Sequence, residues 1–284
     1  DLHSFPTRRS SDLFVRNIYT SINLIERSKV PFVFELYPGG SFALGQSQSD
    51  RMLRRVLNSP CFTKVIVTQD ITREYLIKNK LCRPDQIVSI FGVVTPWDLL
   101  KTIPQINESS NGSTLKVCFA AMRYTLDGRD KGYDVFVDVI KILAQKHNIE
   151  FHVAGKFDKY TIPLNELSER VTFHGILSND NLHKMMKEMD IIVSPNINNI
   201  IQPGAFDGFP TATCTEAGLN GVLIMCTDPL ELNNGRFKNR QEIEIVPHDA
   251  KIIAKRIEFY DRNREALRNV IRNQYERKIG RAHV

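Results

Sequence analysis

LKVCFAAMRYTLDGRDKGYDVFVDVIKILAQKHNIEFHVAG, residues 115–155, begins with an apolar run, passes through a polar loop and a helical pattern, and ends in a second apolar run. Short apolar runs that alternate with helices are typical of strands covered on both faces, as in a parallel sheet. The stretch therefore predicts a strand in LKVCFAA, a helix in KGYDVFVDVIKILAQKH and a strand in EFHVAG.

The same alternation continues on both sides of this unit. Downstream it predicts strands in RVTFHG, DIIVSP and GVLIMCT, helices in NDNLHKMMKEM and TATCTEAGLN, and two closing helices from about Ala250. Upstream it predicts strands in VPFVFELY, KVIVTQ and QIVSIFGVV, with helices in SDRMLRRVL and ITREYLIKN. The fold class is therefore α/β, with doubly wound parallel sheets.

A polar stretch rich in Gly, Ser and Asn, PQINESSNGST at 104–114, predicts a linker between two domains at 14–103 and 115–277. Both ends of the chain resemble translated sequencing adapters, because DLHSFPTRRSSDL and IGRAHV back-translate into adapter sequence without a gap. We therefore predict an adapter-derived leader at 1–13, a similar tail at 278–284, and an environmental fragment between them.

Composition bounds the function. The chain has 284 residues, 42% of them hydrophobic and 25% charged, with a net charge of +6, or +4 once Lys278 and Arg281 of the predicted tail are removed. No block of basic residues stands out, which argues against nucleic acid as a partner. No apolar run is long enough to span a bilayer, so a cytoplasmic location is expected, with peripheral contact at the inner face of the membrane left open. The five cysteines form no metal-binding spacing.

In a doubly wound sheet, ligands bind beyond the carboxyl ends of the strands. The loop MRYTLDGRDKG places Arg123, Arg129 and Lys131 after a predicted strand, where cations would hold a diphosphate. A solvated surface cation is the alternative for each of them, above all for Arg129. Gly155 also follows a strand and would permit close backbone approach.

GAFDGFPTATCTEAGLNG, residues 204–221, reads as the start of a small-residue helix. Pro210 suits the first helical position, and the free N–H groups of such a helix attract phosphate. Glu216 lies about one turn into the helix, and Asp207 lies just before it. The alternative is an ordinary helix start, with Asp207 favouring the helix dipole and Glu216 solvated.

Three segments, DGFPTATCTEAGLNGV, RDKGYDVF and DIIVSPN, together resemble the retaining glycosyltransferases of family 4, the group 1 glycosyl transferases of GT-B fold. The resemblance covers most of 115–260 and, more loosely, 30–95. It implies two Rossmann-like domains, the first of them truncated. It also implies that Lys131 and an Arg, Arg123 or Arg129, neutralise the diphosphate, and that Glu216 holds the ribose hydroxyls. Asp207 would face the donor sugar, although eight residues separate it from Glu216 where the family has seven.

The resemblance extends to further contacts. His174 and Gly175, with Gly155, would line the pocket for the nucleotide base. The remaining donor-binding residues would be Gly208, Phe209, Pro210, Thr211 and Thr213. Apart from the resemblance, the Gly-Gly loop ELYPGGSF follows a predicted strand of the first domain and is a candidate acceptor contact, with a simple turn as the alternative. Its candidate residues are Glu35, Tyr37, Gly39 and Gly40.

The predicted activity is transfer of a sugar, of the hexosyl class, from a nucleotide diphosphate sugar to a glycan or lipid-linked acceptor with retention of configuration, in polysaccharide biosynthesis. Lys131, Arg123 and Glu216 are the predicted catalytic residues, and no cofactor besides the donor is expected. A metal is not expected, since no DxD or HExxH motif occurs in a suitable place. A phosphate loop at GGSFALGQS is disfavoured, because Gln46 stands where a Lys is required. The competing interpretation is an inactive GT-B-like scaffold module.

Overall fold

The computed structural model describes residues 15–39, 41–93, 106, 113–146 and 148–277. Gly40, the predicted leader and tail, and most of the predicted linker lie outside the described residues. The described chain divides into two compact units: the first holds 15–93 together with Gln202–Gly208, and the second holds 106–201 and 209–277, apart from the gaps just named.

The first unit contains three parallel strands in the order β1-β2-β3. Its strands bury Phe34 and Val65. Its amphipathic first helix, which the sequence did not lead us to predict, buries Val15, Ile18 and Ile22 at helical spacing. The elements are α1 (Val15–Ser28), β1 (Phe32–Leu36), α2 (Ser47–Leu57), β2 (Phe62–Val67), α3 (Asp70–Lys78) and β3 (Ile87–Ser89).

Gln202–Gly208 belongs to the first unit although it lies far along the chain. The Leu44 N–H donates to Gly204 O at 2.9 Å, and the Phe206 ring packs edge-on against Phe42 with 6.1 Å between centroids. Gly204 has φ +77°, and a Cβ at this position would overlap Leu44 O, so only glycine fits. A domain boundary drawn along the sequence alone places these seven residues in the second unit, so it does not predict that they belong to the first.

The second unit contains six parallel strands in the order β6-β5-β4-β7-β8-β9. This is the doubly wound Rossmann order, in which the strand order reverses between β4 and β7. The elements are β4 (Leu115–Ala120), α4 (Tyr133–Ile142), β5 (Ile149–Ala154), β6 (Val171–Gly175), α5 (Asn179–Met186), β7 (Ile191–Ser194), α6 (Ala212–Leu219), β8 (Leu223–Cys226), β9 (Glu244–Ile245), α7 (Ala250–Arg262) and α8 (Arg264–Glu276).

Apolar side chains on one face of this sheet form a core with the helices packed against that face, and this core includes Phe119, Tyr133, Phe136 and Phe151. The predicted helix KGYDVFVDVIKILAQKH is shorter than expected: Gly132 at φ +72° separates a short 3-10 turn from α4, and the helix ends at Ile142 with Leu143 as its C-cap. The α/β class with parallel sheets is confirmed. In the described part of the chain, no helix is both long and apolar enough to cross a bilayer.

Candidate functional site

The loops that follow β4 and β7 touch at the point where the strand order of the second unit reverses. The Ile197 N–H donates to Asp130 O at 3.4 Å. Gly132 lies so close to Pro195 O that a Cβ would overlap it. Ligands of doubly wound sheets bind at this reversal, beyond the carboxyl ends of the strands. The strand order therefore identifies this edge of the second unit as the candidate site.

Two half-buried cations lie in the loop after β4. Arg123 Nη1 donates to Leu126 O at 3.2 Å and to Thr161 Oγ1 at 3.1 Å, which ties this loop to the one after β5. The Lys131 ammonium lies 5.2 Å from the centroid of the Tyr124 ring, a cation–π distance. The edge therefore carries two positive charges within nine residues of chain, from Arg123 to Lys131.

Arg129 lies in the same loop but is exposed. It forms ion pairs with Asp127 at 3.0 Å and with Asp134 at 3.8 Å. Two carboxylates thus offset its charge locally, whereas Arg123 hydrogen-bonds to an uncharged carbonyl and hydroxyl. The Asp158 carboxylate also interacts with Arg123, so what separates the two arginines left open by the sequence is burial: Arg123 is half-buried and Arg129 is exposed.

A buried carboxylate, absent from the sequence prediction, shapes the loop. Asp130, 3% exposed, accepts hydrogen bonds from the Thr125 N–H at 3.2 Å and from Thr125 Oγ1 at 2.6 Å. These bonds close the loop over five residues and fix the backbone directly before Lys131. A signal was present in the sequence, since an Asp in a Gly-containing turn often bonds to nearby backbone N–H groups.

The loops after β5 and β6 continue the same edge. Gly155 has φ +121°, and a Cβ there would overlap Ala121 O at the end of β4. Its N–H donates to Gly175 O at 2.8 Å, while the space around Gly175 is open to at least 4 Å from an added Cβ. The predicted base-pocket glycines therefore lie together, one packed tightly and the other open.

His174 on β6 lies against a second imidazole. Its Nε2 is 3.0 Å from His152 Nδ1, and the two rings stack with 5.3 Å between centroids. Burial lowers the pKa of both side chains, and the neighbouring His174 lowers the pKa of His152 further. The sequence reading did not include His152, because alternation along β5 marks it only as the less buried face of a strand.

The helix α6 begins at Ala212, with Thr211 as its N-cap. Thr211 Oγ1 accepts a hydrogen bond from the Cys214 N–H at 3.3 Å. The prediction that Pro210 occupies the first helical position is wrong, because the cap places this proline one residue before the N-cap. Phe209 and Pro210 are buried, and Thr213 in the first turn is half-buried.

Glu216 is 7% exposed, so the alternative of a solvated side chain is wrong. Its Oε2 lies 3.5 Å from Nε2 of His183, which is a half-buried residue of the neighbouring helix α5. Sequence reasoning missed His183, since a single histidine within an amphipathic helix belongs to no motif.

Asp207 and Gly208 lie in the first unit, and the boundary between the units falls between Gly208 and Phe209. A Cβ at Gly208 would lie 3.1 Å from Tyr37 Oη. Glu35 on β1 is 5% exposed, and Gly39 at φ +95° forms a bridge with Phe42.

The predicted site residues thus divide between the two units. In the first unit lie Glu35, Tyr37, Gly39, Asp207 and Gly208, and in the second lie Arg123, Lys131, Gly155, His174, Gly175, Phe209, Pro210, Thr211, Thr213 and Glu216. Over the residues that the structure describes, no group of three or more His, Cys, Asp or Glu side chains could hold a metal ion.

Several solved glycosyltransferase structures are similar to this chain. HepE from Anabaena, in complex with UDP and glucose, is 16% identical over 93% of this chain and 71% of its own, with a TM-score of 0.65. Sucrose-phosphate synthase from Thermosynechococcus elongatus is 16% identical over 93% of this chain and 67% of its own, also at 0.65. A TarM variant from S. aureus, in complex with fondaparinux, alpha-GlcNAc-glycerol and UDP, is 12% identical over 89% and 48%, at 0.62.

At these identities the similarity confirms the GT-B fold alone. No curated protein matches the chain in sequence. The family model "Glycosyl transferases group 1" matches residues 124–277, which are 154 (277 − 124 + 1) of the 284 residues and include the loop of Lys131 and the helix of Glu216. The chain belongs to the glycosyl transferases group 1.

Proposed function

We propose that this glycosyltransferase moves a sugar of the hexosyl class from a nucleotide diphosphate sugar to a glycan or lipid-linked acceptor, with retention of configuration at the anomeric carbon. HepE, similar in fold, is known in complex with UDP and glucose and in complex with UDP-glucose. Retention is supported by the resemblance of DGFPTATCTEAGLNGV to the donor-site segment of retaining enzymes.

One observation supports this function above the others: Arg123 and Lys131 occupy the loop after β4, at the reversal of strand order, beside the loop after β7. In glycosyl transfer from such a donor, the bond between the anomeric carbon and the diphosphate oxygen breaks while an acceptor hydroxyl oxygen bonds to that carbon. Negative charge develops on the leaving diphosphate, which takes up the hydroxyl proton. Cations fixed at that point stabilise the transition state more than the ground state. The N-terminus of α6, capped by Thr211, adds a positive dipole end at the same edge of the sheet.

In this proposal Glu216 accepts hydrogen bonds from the ribose hydroxyls, because an ionised carboxylate is an acceptor only. His174, Gly175 and Gly155 line the base pocket. The roles proposed for Asp207 at the donor sugar and for Glu35, Tyr37 and Gly39 at the acceptor stay predictions.

Calorimetry with UDP-, GDP- and ADP-sugars tests the donor class directly. We expect one nucleotide series to bind with a micromolar Kd and the free diphosphate of that series to compete. If no member of the panel binds the folded protein, the proposal is wrong. Binding without turnover, over a panel of glycan and lipid-linked acceptors, would favour the inactive scaffold module instead.

Retention and metal independence have separate readouts. NMR of the product formed from an α-linked donor should show an α-linkage, and a β-linked product would exclude retention.

Turnover should survive EDTA, because the proposed charge neutralisation comes from Arg123, Lys131 and α6. Loss of turnover in EDTA with recovery on adding Mg²⁺ or Mn²⁺ would contradict metal-independent transfer.

A further inference from the structure

We infer that His183 is a positioning residue for Glu216, and that through this carboxylate it sets how strongly the site recognises the ribose hydroxyls of the donor. This inference deepens the proposed function and rests on it. It concerns a side chain that lies on α5 and contacts Glu216 on α6.

The geometry of the pair is the first support. His183 Nε2 lies 3.5 Å from Glu216 Oε2, with the two side chains 22% and 10% exposed. Nε2 of His183 is buried and makes no hydrogen bond to any of the described residues. A buried imidazole nitrogen at this distance from a carboxylate oxygen is placed to donate to it when its N–H points that way.

The two backbones are well fixed. On α6, every residue from Cys214 to Leu219 is buried, and Asn220 Nδ2 donates to Glu216 O at 2.8 Å. On α5, Ser178 caps the first turn through its Oγ, and Met185 and Met186 are buried. The separation of the two side chains is therefore set by packed helices rather than by flexible loops.

Burial explains why the carboxylate needs such a neighbour. A buried carboxylate is costly unless it is paired or hydrogen-bonded, and each fixed neighbour that donates to it narrows the side-chain torsions it can adopt. An N–H donated by His183 to Oε2 would help to fix the orientation of the planar carboxylate. The carboxylate then presents its acceptor positions in one arrangement to a pair of vicinal hydroxyls, which is the role that supporting hydrogen bonds play at binding sites.

The test measures recognition of the hydroxyls, not affinity alone. The probes are UDP and 2′,3′-dideoxy-UDP, or the corresponding ADP or GDP pair if that series binds the wild type more tightly. The wild type should prefer the hydroxylated nucleotide by about tenfold or more, the scale of one hydrogen bond to a charged group. Glu216→Gln should reduce this preference, and His183→Leu should reduce it several-fold while the protein stays folded.

Two further variants separate positioning from general damage to the fold. His183→Gln keeps an N–H near the position of Nε2 and should restore most of the preference. Lys184→Leu removes an exposed side chain from the adjacent position of α5 and should leave the preference unchanged. If His183→Leu does not fold, His183→Ser takes its place, because its hydroxyl is too short to reach the carboxylate.

The double variant His183→Leu, Glu216→Gln should show no greater loss than Glu216→Gln alone, since one side chain acts through the other. A full preference for the hydroxylated nucleotide in folded His183→Leu would overturn the inference and leave the proposed function standing. If none of the nucleotides binds the wild type, the proposed function and this inference both fall.

Discussion

At the scale of single residues, the ammonium of Lys131 is the side chain most directly tied to the proposed chemistry. Replacing Lys131 with Met keeps a side chain of similar length but removes the charge that would stabilise the leaving diphosphate. We expect kcat to fall by about 10²–10³, as when one electrostatic contact to a transition state is removed. Steady-state kinetics with the donor that binds in calorimetry measure this.

Lys141→Met is the matched control for that variant. Lys141 lies on α4 and pairs with Asp138 at 2.9 Å on the exposed surface, so kcat should stay within about twofold of wild type. Equal kcat values for Lys131→Met and the wild type would remove Lys131 from the site.

Residue-level prediction reached those positions where the physics is local. Arg123 and Lys131 follow an apolar run that the sequence shows to be a strand, whereas Thr211 is not predicted as the N-cap of α6, because the sequence predicts Pro210 at the first helical position. The pairings of His183 with Glu216 and of His152 with His174 join side chains 33 (216 − 183) and 22 (174 − 152) residues apart. Such pairs form because particular strands and helices become neighbours in the fold, and no spacing in the sequence predicts which ones do.

At the scale of elements, the short helix α6 depends on close contact with α8 and β8. A Cβ at Gly218 would lie 2.9 Å from Gln274 Nε2 and 2.9 Å from Ile224 Cδ1. Gln274 cannot withdraw freely, because its Oε1 accepts from the Ile224 N–H at 3.0 Å and its Nε2 donates to Val222 O at 2.8 Å. The position therefore needs a residue without a side chain.

Gly218→Ala sets two effects against each other. Alanine gains about 1 kcal/mol of helix propensity over glycine, whereas overpacking a buried contact costs about 1–3 kcal/mol. Because both neighbours are held in place, we expect a net loss of about 1 kcal/mol in the free energy of unfolding, measured in urea. Lys255→Ala on the exposed face of α7 should change it by less than about 0.5 kcal/mol. A more stable Gly218→Ala protein would show that α6 and α8 can separate at little cost.

Element-level prediction succeeded where apolar runs and helical periods are long. The strands from β4 to β8 and the helices that alternate with them lie where the pattern puts them. The two-residue strand β9 offers too few residues for a pattern. The placement of Gln202–Gly208 in the first unit depends on a hydrogen bond to Leu44 and a ring contact with Phe42. These contacts join residues far apart in the sequence, so local patterns do not predict them.

At the scale of the whole molecule, the second unit holds a buried arginine that joins its last helix to the start of its sheet. Arg264, 1% exposed, donates through Nη2 to Ser113 O at 2.6 Å and pairs with Asp261 at 3.1 Å and with Asp190 at 3.9 Å. Asp190 Oδ2 in turn accepts from the Lys116 N–H at 2.8 Å.

Arg264→Met should lower the free energy of unfolding of the second unit by about 3–5 kcal/mol, because it leaves the buried carboxylate of Asp190 and the half-buried one of Asp261 without their cation. Urea unfolding followed by circular dichroism measures the change. Arg272→Met, at an exposed position of the same helix, should shift it by less than about 0.5 kcal/mol. If the free energy of unfolding changed equally little in both variants, the charge of Arg264 would add nothing to stability beyond the packing of its side chain, which Met largely preserves.

Stability should also depend on pH through the stacked imidazoles of β5 and β6. Burial lowers the pKa of His152, and His174 and Lys116 lower it further, against the opposing effect of the Glu150 carboxylate. Burial likewise lowers the pKa of His174, against the opposing effect of Glu188. Both rings therefore favour the neutral form in the folded protein.

A base with a lowered pKa in the folded state binds more protons when unfolded, so the free energy of unfolding rises with pH between its folded and unfolded pKa values. The contribution of His152 and His174 is thus complete above about pH 6.5, the unfolded value, and is lost as the pH falls below it. Measured in urea, the free energy of unfolding should fall more between pH 7.5 and pH 5.5 in the wild type than in the double variant His152→Gln, His174→Gln. Thr172→Val, on the same strand β6 as His174, removes no imidazole. Its free energy of unfolding should fall between the two pH values as much as that of the wild type. An equal drop in the double variant would place the pH dependence on other groups.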